Sequence, residues 1–244
     1  MRKLFVTQSQ TTSHAKRGFL LVELVIGLVI VALVMLGAAA IMGAVAQGWN
    51  DQDVTRSTQL QANQTYVRVQ NALEGAKYVG YWNAGSMDGS SSPATSIFFW
   101  QNDNFGGVET GDPCIGEMAL IQFDPTTNTL WLYKCLSPSQ MNGSQQTQAA
   151  QVWTLSDIDQ SSYASQFTPQ NYSFVQKQAL GGPGEQADDG TRLKVLSFGV
   201  NVSSLSSTTQ LPVIEYAIHF QQTDGTKLAL YNTTTIRGPA TQPQ

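Results

Sequence analysis

Residues 19–46 read FLLVELVIGLVIVALVMLGAAAIMGAVA, an apolar run in which Glu23 is the single charged residue. At a rise of ~1.5 Å per residue, about 20 such residues cross the hydrocarbon core of a bilayer. The apolar region of a secretory signal is shorter, roughly 7 to 15 residues. Residues 19–46 are therefore expected to form a membrane-inserting helix.

On the N-terminal side of the run, residues 1–18 carry Arg2, Lys3, Lys16 and Arg17 and no acid. A short basic flank stays on the cytoplasmic side, so the bulk of the chain is expected to be exported. Beyond Gly18 the remaining 9 bases face 17 acids, a net charge near −8. Such an acidic domain gives no reason to expect nucleic acid as a partner. Charged residues make up only 12% of the 244-residue chain, so Gln, Asn, Ser, Thr and Gly supply most of its polarity. That length suits one globular domain with an extension.

C-terminal to the run, Val54, Thr58, Ala62, Tyr66, Val69, Leu73 and Ala76 recur at spacings of three and four. Arg56, Asn63, Gln70, Glu74 and Lys77 fall elsewhere on the wheel. This pattern predicts that the helix continues to about Lys77, its second half amphipathic and packed on a sheet. The helix is expected to fade near Gly80, and the Gly/Ser-rich residues 83–93 to form a loop. Thr95–Gln101 (TSIFFWQ) reads as a short buried strand. MALIQFD and TLWLYKC flank Pro125-Thr126-Thr127-Asn128 as a hairpin that pairs Phe123 with Leu130. Residues 137–191, rich in Gln, Ser, Gly and Pro, are expected to be loops, with a short strand candidate at Val152–Leu155 and a loosely patterned stretch at Tyr163–Leu180. Lys194–Val202, Val213–Gln221 and Lys227–Thr235 predict a three-stranded antiparallel meander, with an Asp224-Gly225 turn between the last two and Leu196, Phe198, Val200 and Val202 sharing one face.

Glu23 needs an explanation, because a carboxylate inside a spanning helix costs about 2.5–3.5 kcal/mol unless it stays wet, protonated or paired. The residues around it, Lys16-Arg17-Gly18-Phe19-Leu20-Leu21-Val22-Glu23, resemble the type III signal sequence of type IV prepilins. The resemblance implies that a membrane aspartyl prepilin peptidase cuts between Gly18 and Phe19 and methylates the new N-terminus at Phe19. It also implies that Glu23, fifth residue of the mature chain, pairs with the N-terminal ammonium of a neighbouring subunit and so selects the axial stagger of a filament. The match covers residues 16–46. It departs from many major pilins in lacking a proline near the middle of the helix; Gly37, Gly43 and Gly48 are instead the expected points of bending.

The resemblance implies an α+β, pilin-like fold with a leader at 1–18 and an N-terminal helix at 19–77, of which 19–46 is the transmembrane or filament-core part and 47–77 the amphipathic part. A β-rich globular domain at 78–237 and a flexible tail at 238–244 complete it. Length and the Thr-rich last strand before Ile236-Arg237 look like the larger minor subunits, minor pilin W or pseudopilin J. The partners this implies are other pilin or pseudopilin subunits, prepilin peptidase, an inner-membrane assembly platform, and membrane lipid before assembly. The implied location is the bacterial inner membrane, then a periplasmic pseudopilus or a cell-surface pilus. Two alternatives stay open: a major pilin, and a single-pass anchored binding domain in which Glu23 is incidental.

Cys114 and Cys135, the only cysteines, would be free to form a disulfide in an exported domain, or else stand as buried thiols. His219, the one histidine beyond the leader, is expected at a polar surface or rim with Glu215 and Gln221. No nucleophile-elbow motif accompanies it, so no catalytic residue is expected. Two cysteines and one histidine without a paired-cysteine spacing predict no zinc site. Asn102, Asp103, Asn104, Glu109 and Asp112 crowd a Gly-containing loop that could hold calcium, yet lack the EF-hand spacing and read as a solvated acidic loop. No cofactor is expected. Trp82, Trp100, Trp131 and Trp153 are expected in the core of the β domain.

Overall fold

A computed structural model describes residues 21–83, 85–89, 94–101, 105, 111–183, 193–203, 213–222 and 225–236. The chain forms two compact units, Met1–Val54 and Thr55–Gln244. In the first, the described residues belong to helix α1, Leu21–Glu74, and every one of them from 21 to 53 is exposed. The helix runs through Gly37, Gly43 and Gly48 without a break, and a Cβ at any of the three would meet nothing within 4 Å.

The second unit is α+β. A five-stranded sheet has the order β1 (Tyr78–Asn83), β2 (Ser96–Trp100), β3 (Met118–Asp124), β4 (Thr129–Cys135) and β5 (Val175–Gly181), antiparallel throughout. A second sheet of β6 (Leu193–Ser203), β7 (Val213–Gln222) and β8 (Lys227–Thr235) is the expected meander. Phe123 pairs with Leu130 as the hairpin reading required. Its turn is held by Asp124, whose carboxylate accepts from Thr126 N at 2.9 Å and Thr127 Oγ1 at 2.8 Å. Asn128 then takes a left-handed φ of 53°, a conformation its short polar side chain tolerates.

The five-stranded sheet is covered on both faces, which explains why its strands are apolar runs instead of alternating ones. On one face Ile97, Phe99, Ile121 and Leu132 join Val69 and Leu73 of α1 and Phe198, Ile218 and Phe220 of the second sheet in one core. Of the predicted stripe, Thr58, Ala62, Val69, Leu73 and Ala76 are inaccessible or nearly so and Tyr66 is half-buried, while the side chain of Val54 lies outside the described residues. Burying one such aliphatic side chain contributes about 1.5–3 kcal/mol. On the other face Phe98, Trp100, Leu120, Trp131 and Tyr133 pack beneath Trp153, Ile158, Phe167 and Phe174.

Four expectations are corrected. The helix ends at Glu74, and residues 78–83 form β1 where a fading helix and a loop had been expected. β1 depends on close approach: a Cβ on Gly80 would lie 2.3 Å from the carbonyl of Ile158. Residues 137–183 are more ordered than their composition suggested, with helices α2 (Gly143–Ala149), α3 (Leu155–Ile158) and α4 (Ser161–Gln166) followed by β5. Reciprocal caps start α2 and α3: Asn142 Oδ1 accepts from Gln145 N while Gln145 Oε1 accepts from Asn142 N, both at 2.9 Å, and Thr154 and Asp157 repeat the arrangement. Val152 makes only an isolated bridge to Cys114, and 155–158 are helical. In β6 a register shift between Val195 and Ser197 breaks simple alternation, so Val195, Phe198 and Val200 are fully buried while Leu196 is half-buried.

Candidate functional site

The N-terminal half of α1 is the feature that sequence reading marked for function. Glu23 sits in its first turn, a placement the helix dipole favours for a carboxylate. Around it Leu21, Val22, Leu24 and Val25 are exposed, as are Leu28, Leu33, Leu36 and Met42 further along. Among the described residues this is the one helix long and apolar enough to cross a membrane, and none of its most apolar window is buried. Glu23 has no hydrogen bond or ion pair with another described residue. Gly18 and Phe19 lie outside the described residues, as does the rest of 1–18 and the tail at 238–244.

The two cysteines come close in the fold without bonding. The chain turns back in a 3₁₀ turn at Ile115–Glu117, which carries the Ile115 carbonyl to 3.2 Å from Cys135 Sγ. Cys114 Sγ is directed instead to the Asp112 carbonyl at 4.0 Å. Of the two outcomes expected, a disulfide or buried thiols, the structure has the second for Cys114, while Cys135 is partly buried; the two sulfurs are not bonded to each other. Burial pushes the Cys135 thiol up to about 12, far from the thiolate range.

Glu117, which the sequence reading did not single out, anchors this region. Although it is a carboxylate it is buried, and it accepts from Trp100 Nε1 at 3.0 Å, Phe105 N at 2.7 Å and Cys114 N at 3.1 Å. Three donors satisfy the buried carboxylate and tie Trp100 of β2 to Phe105 and Cys114. Of the acidic loop considered for calcium, Asn102, Asp103, Asn104 and Glu109 lie outside the described residues, and Asp112 is exposed.

His219 departs from its expected rim position, being only 9% exposed. The reason is a strap: residues 85–89 lie across the outer face of the three-stranded sheet. The strap fits there because Gly199 has no Cβ, which would fall 2.7 Å from the Ser86 carbonyl. Gly89, at φ +79°, places its backbone against the imidazole, and a Cβ there would be 2.8 Å from His219 Cδ2. The ring bridges two strands, with Ser197 Oγ 3.0 Å from Nδ1 and Tyr231 OH 3.2 Å from Nε2. Burial holds the His219 pKa below its ordinary value, against the opposing pull of Asp88. Ser197 is fully buried, so this pair is an internal link between β6, β7 and β8.

Trp100, Trp131 and Trp153 are core residues as expected, whereas Trp82 is 37% exposed on β1. Comparisons with protein-family models, with curated proteins and with solved structures each found no match.

Proposed function

We propose that the chain is a structural subunit, of the minor pilin or pseudopilin kind, of a type IV pilus or a type II secretion pseudopilus. One observation carries the reading. Glu23, the single charged residue of the apolar run 19–46, stands in the first turn of a helix whose residues 21–53 are all exposed, four residues after Phe19 of Lys16-Arg17-Gly18-Phe19. An unpaired carboxylate in such a helix is unfavourable in lipid and in a packed helical bundle alike. Cleavage after Gly18 creates a positive chain end at Phe19. In a filament, the end of one subunit then neutralises Glu23 of the next, and every other stagger leaves two charges unpaired. Adhesion between subunits comes from the exposed aliphatic surface, and register from the ion pair. The membrane is the reservoir in which the same surface is held before assembly.

The test is direct. Protein recovered from a host that carries prepilin peptidase should begin at a methylated Phe19, read by N-terminal sequencing and intact mass. Glu23→Leu should still be cut and inserted but should fail to enter filaments. Recovery of a chain starting at Met1, or normal assembly by Glu23→Leu, would falsify the proposal.

A further inference from the structure

The outer face of the three-stranded sheet carries a recess of about 410 Å³ lined by Met87, Glu215, Tyr216, Tyr231, Asn232 and Thr233. Met87 comes from the strap at 85–89, which the two close approaches at Gly89 and Gly199 seat on the sheet. Tyr231 is 61% exposed, yet its ring is not left to rotate. Its hydroxyl is bound to His219 Nε2 at 3.2 Å, and the two rings meet edge-on at 87° with centroids 5.7 Å apart. A buried histidine thus holds an exposed aromatic face in place, which lowers the entropy lost when something stacks on it.

The polar groups of the recess have a bias. Glu215 is exposed and can only accept; one of its oxygens takes a hydrogen bond from Asn201 Nδ2 at 3.0 Å, which orients the carboxylate. The Asn232 amide lies on the opposite, core-side face of the sheet with Tyr216, to whose hydroxyl it donates at 2.9 Å, so it offers the recess no side-chain group. The charged side chain among the lining residues is thus a carboxylate, and the Thr233 hydroxyl is neutral. A neutral sugar leaves that charge uncompensated, whereas an organic cation pairs with it. The exposed carboxylate of Asp88, beside Met87 on the strap, adds to the negative potential. Lys194 and Lys227 both neighbour Gln221 in the ladder. At ~3.3 Å per residue, that end of β7 is roughly 20 Å from Glu215.

We propose that this recess binds an arginine side chain presented by a partner polypeptide. The guanidinium stacks on the Tyr231 ring and donates to Glu215, while its methylenes lie against the Met87 thioether. Lysine fits less well, because its ammonium cannot stack as a plane or fork onto a carboxylate.

The full chain in neutral detergent, with methionine methyl groups labelled with carbon-13, reports on the site through the Met87 methyl resonance, assigned by its loss in Met87→Leu. Titration with a tri-arginine peptide should give a saturable shift of that resonance that weakens with added salt. Tri-citrulline, a neutral isostere, should bind about tenfold or more weakly, because it lacks the charge that both the ring and the carboxylate attract. Glu215→Gln and Tyr231→Leu, at exposed positions, should each reduce the response several-fold while the other methyl resonances keep their places. The proposal is overturned by an unmoved Met87 signal, by equal responses to tri-arginine and tri-citrulline, or by binding that neither variant weakens. A Met87 response to maltotriose in place of tri-arginine would overturn it too, and make the recess a sugar site.

Discussion

Two stretches of one helix, residues 21–53 and 55–74, share a backbone ladder and differ in what their side chains meet. In the first, apolar residues occupy every direction around the axis and all are exposed. In the second, Thr58, Ala62, Thr65, Val69, Ala72 and Leu73 form a stripe that is buried, and Arg56, Asn63, Gln64, Arg68 and Asn71 remain outside. A helix that is apolar all round calls for lipid or other helices, whereas one with a stripe calls for a sheet. The pattern of the second stretch is satisfied within its own unit. That of the first is not satisfied by any described residue.

The largest effect that separates the two stretches should come from truncation. Leu73→Ala removes a fully buried side chain and should destabilise the β-rich unit by about 2–5 kcal/mol, seen as a lower melting temperature; Leu33→Ala should leave that transition within about 0.5 kcal/mol. A charge inverts the comparison: Ile30→Lys should cost about 2.5–3.5 kcal/mol on insertion and shift protein out of the membrane fraction, with the unfolding of the β-rich unit unchanged. Within the second unit, Glu117→Gln replaces an acceptor of three hydrogen bonds with a neutral amide that must present a donor to the same groups. A loss of about 1–3 kcal/mol is expected in denaturant unfolding, together with faster amide exchange at Phe105 and Cys114.

A smaller effect should follow pH. Because the folded state holds the His219 pKa below its unfolded value, the unfolded chain binds the proton first as pH falls. This contribution to stability is present above the ordinary histidine pKa of about 6.5 and is lost as pH drops from there through the folded value. The groups that face the ring are Asp88 from the strap, Tyr231 from β8 and Ser197 from β6. Unfolding followed between pH 7.5 and 5 should show the decline, and His219→Gln should flatten the part of the curve that belongs to this residue.

The two sheets show how much was legible and why. β3 and β4 could be read with their register because the Asp124–Asn128 turn is local chemistry, and so could the β6–β8 meander, whose β7 and β8 begin and end within a residue of expectation. β1 could not, since Tyr78–Asn83 follows directly on the helical stripe and becomes a strand only through pairing with β2 and the approach of α3 at Gly80. Two of the helices between 143 and 166, α2 and α3, carry a readable signal in their reciprocal caps, which the polar composition of the segment masks. Composition misleads there because these helices expose most of their surface and bury only Ala149, Ile158 and Ala164.

The sequence by itself determined the parts of this protein that depend on near neighbours along the chain: the apolar run with its one acid, the cleavage-like motif before it, the buried stripe of α1 and the turn-bounded strands. Tertiary structure alone decided the burial of His219 under residues 85–89, the approach of Ile158 to Gly80, and the recess beside Tyr231. Each of these depends on segments far apart in the chain, brought together by hydrophobic burial that has area but no direction, so no local pattern of residues encodes it.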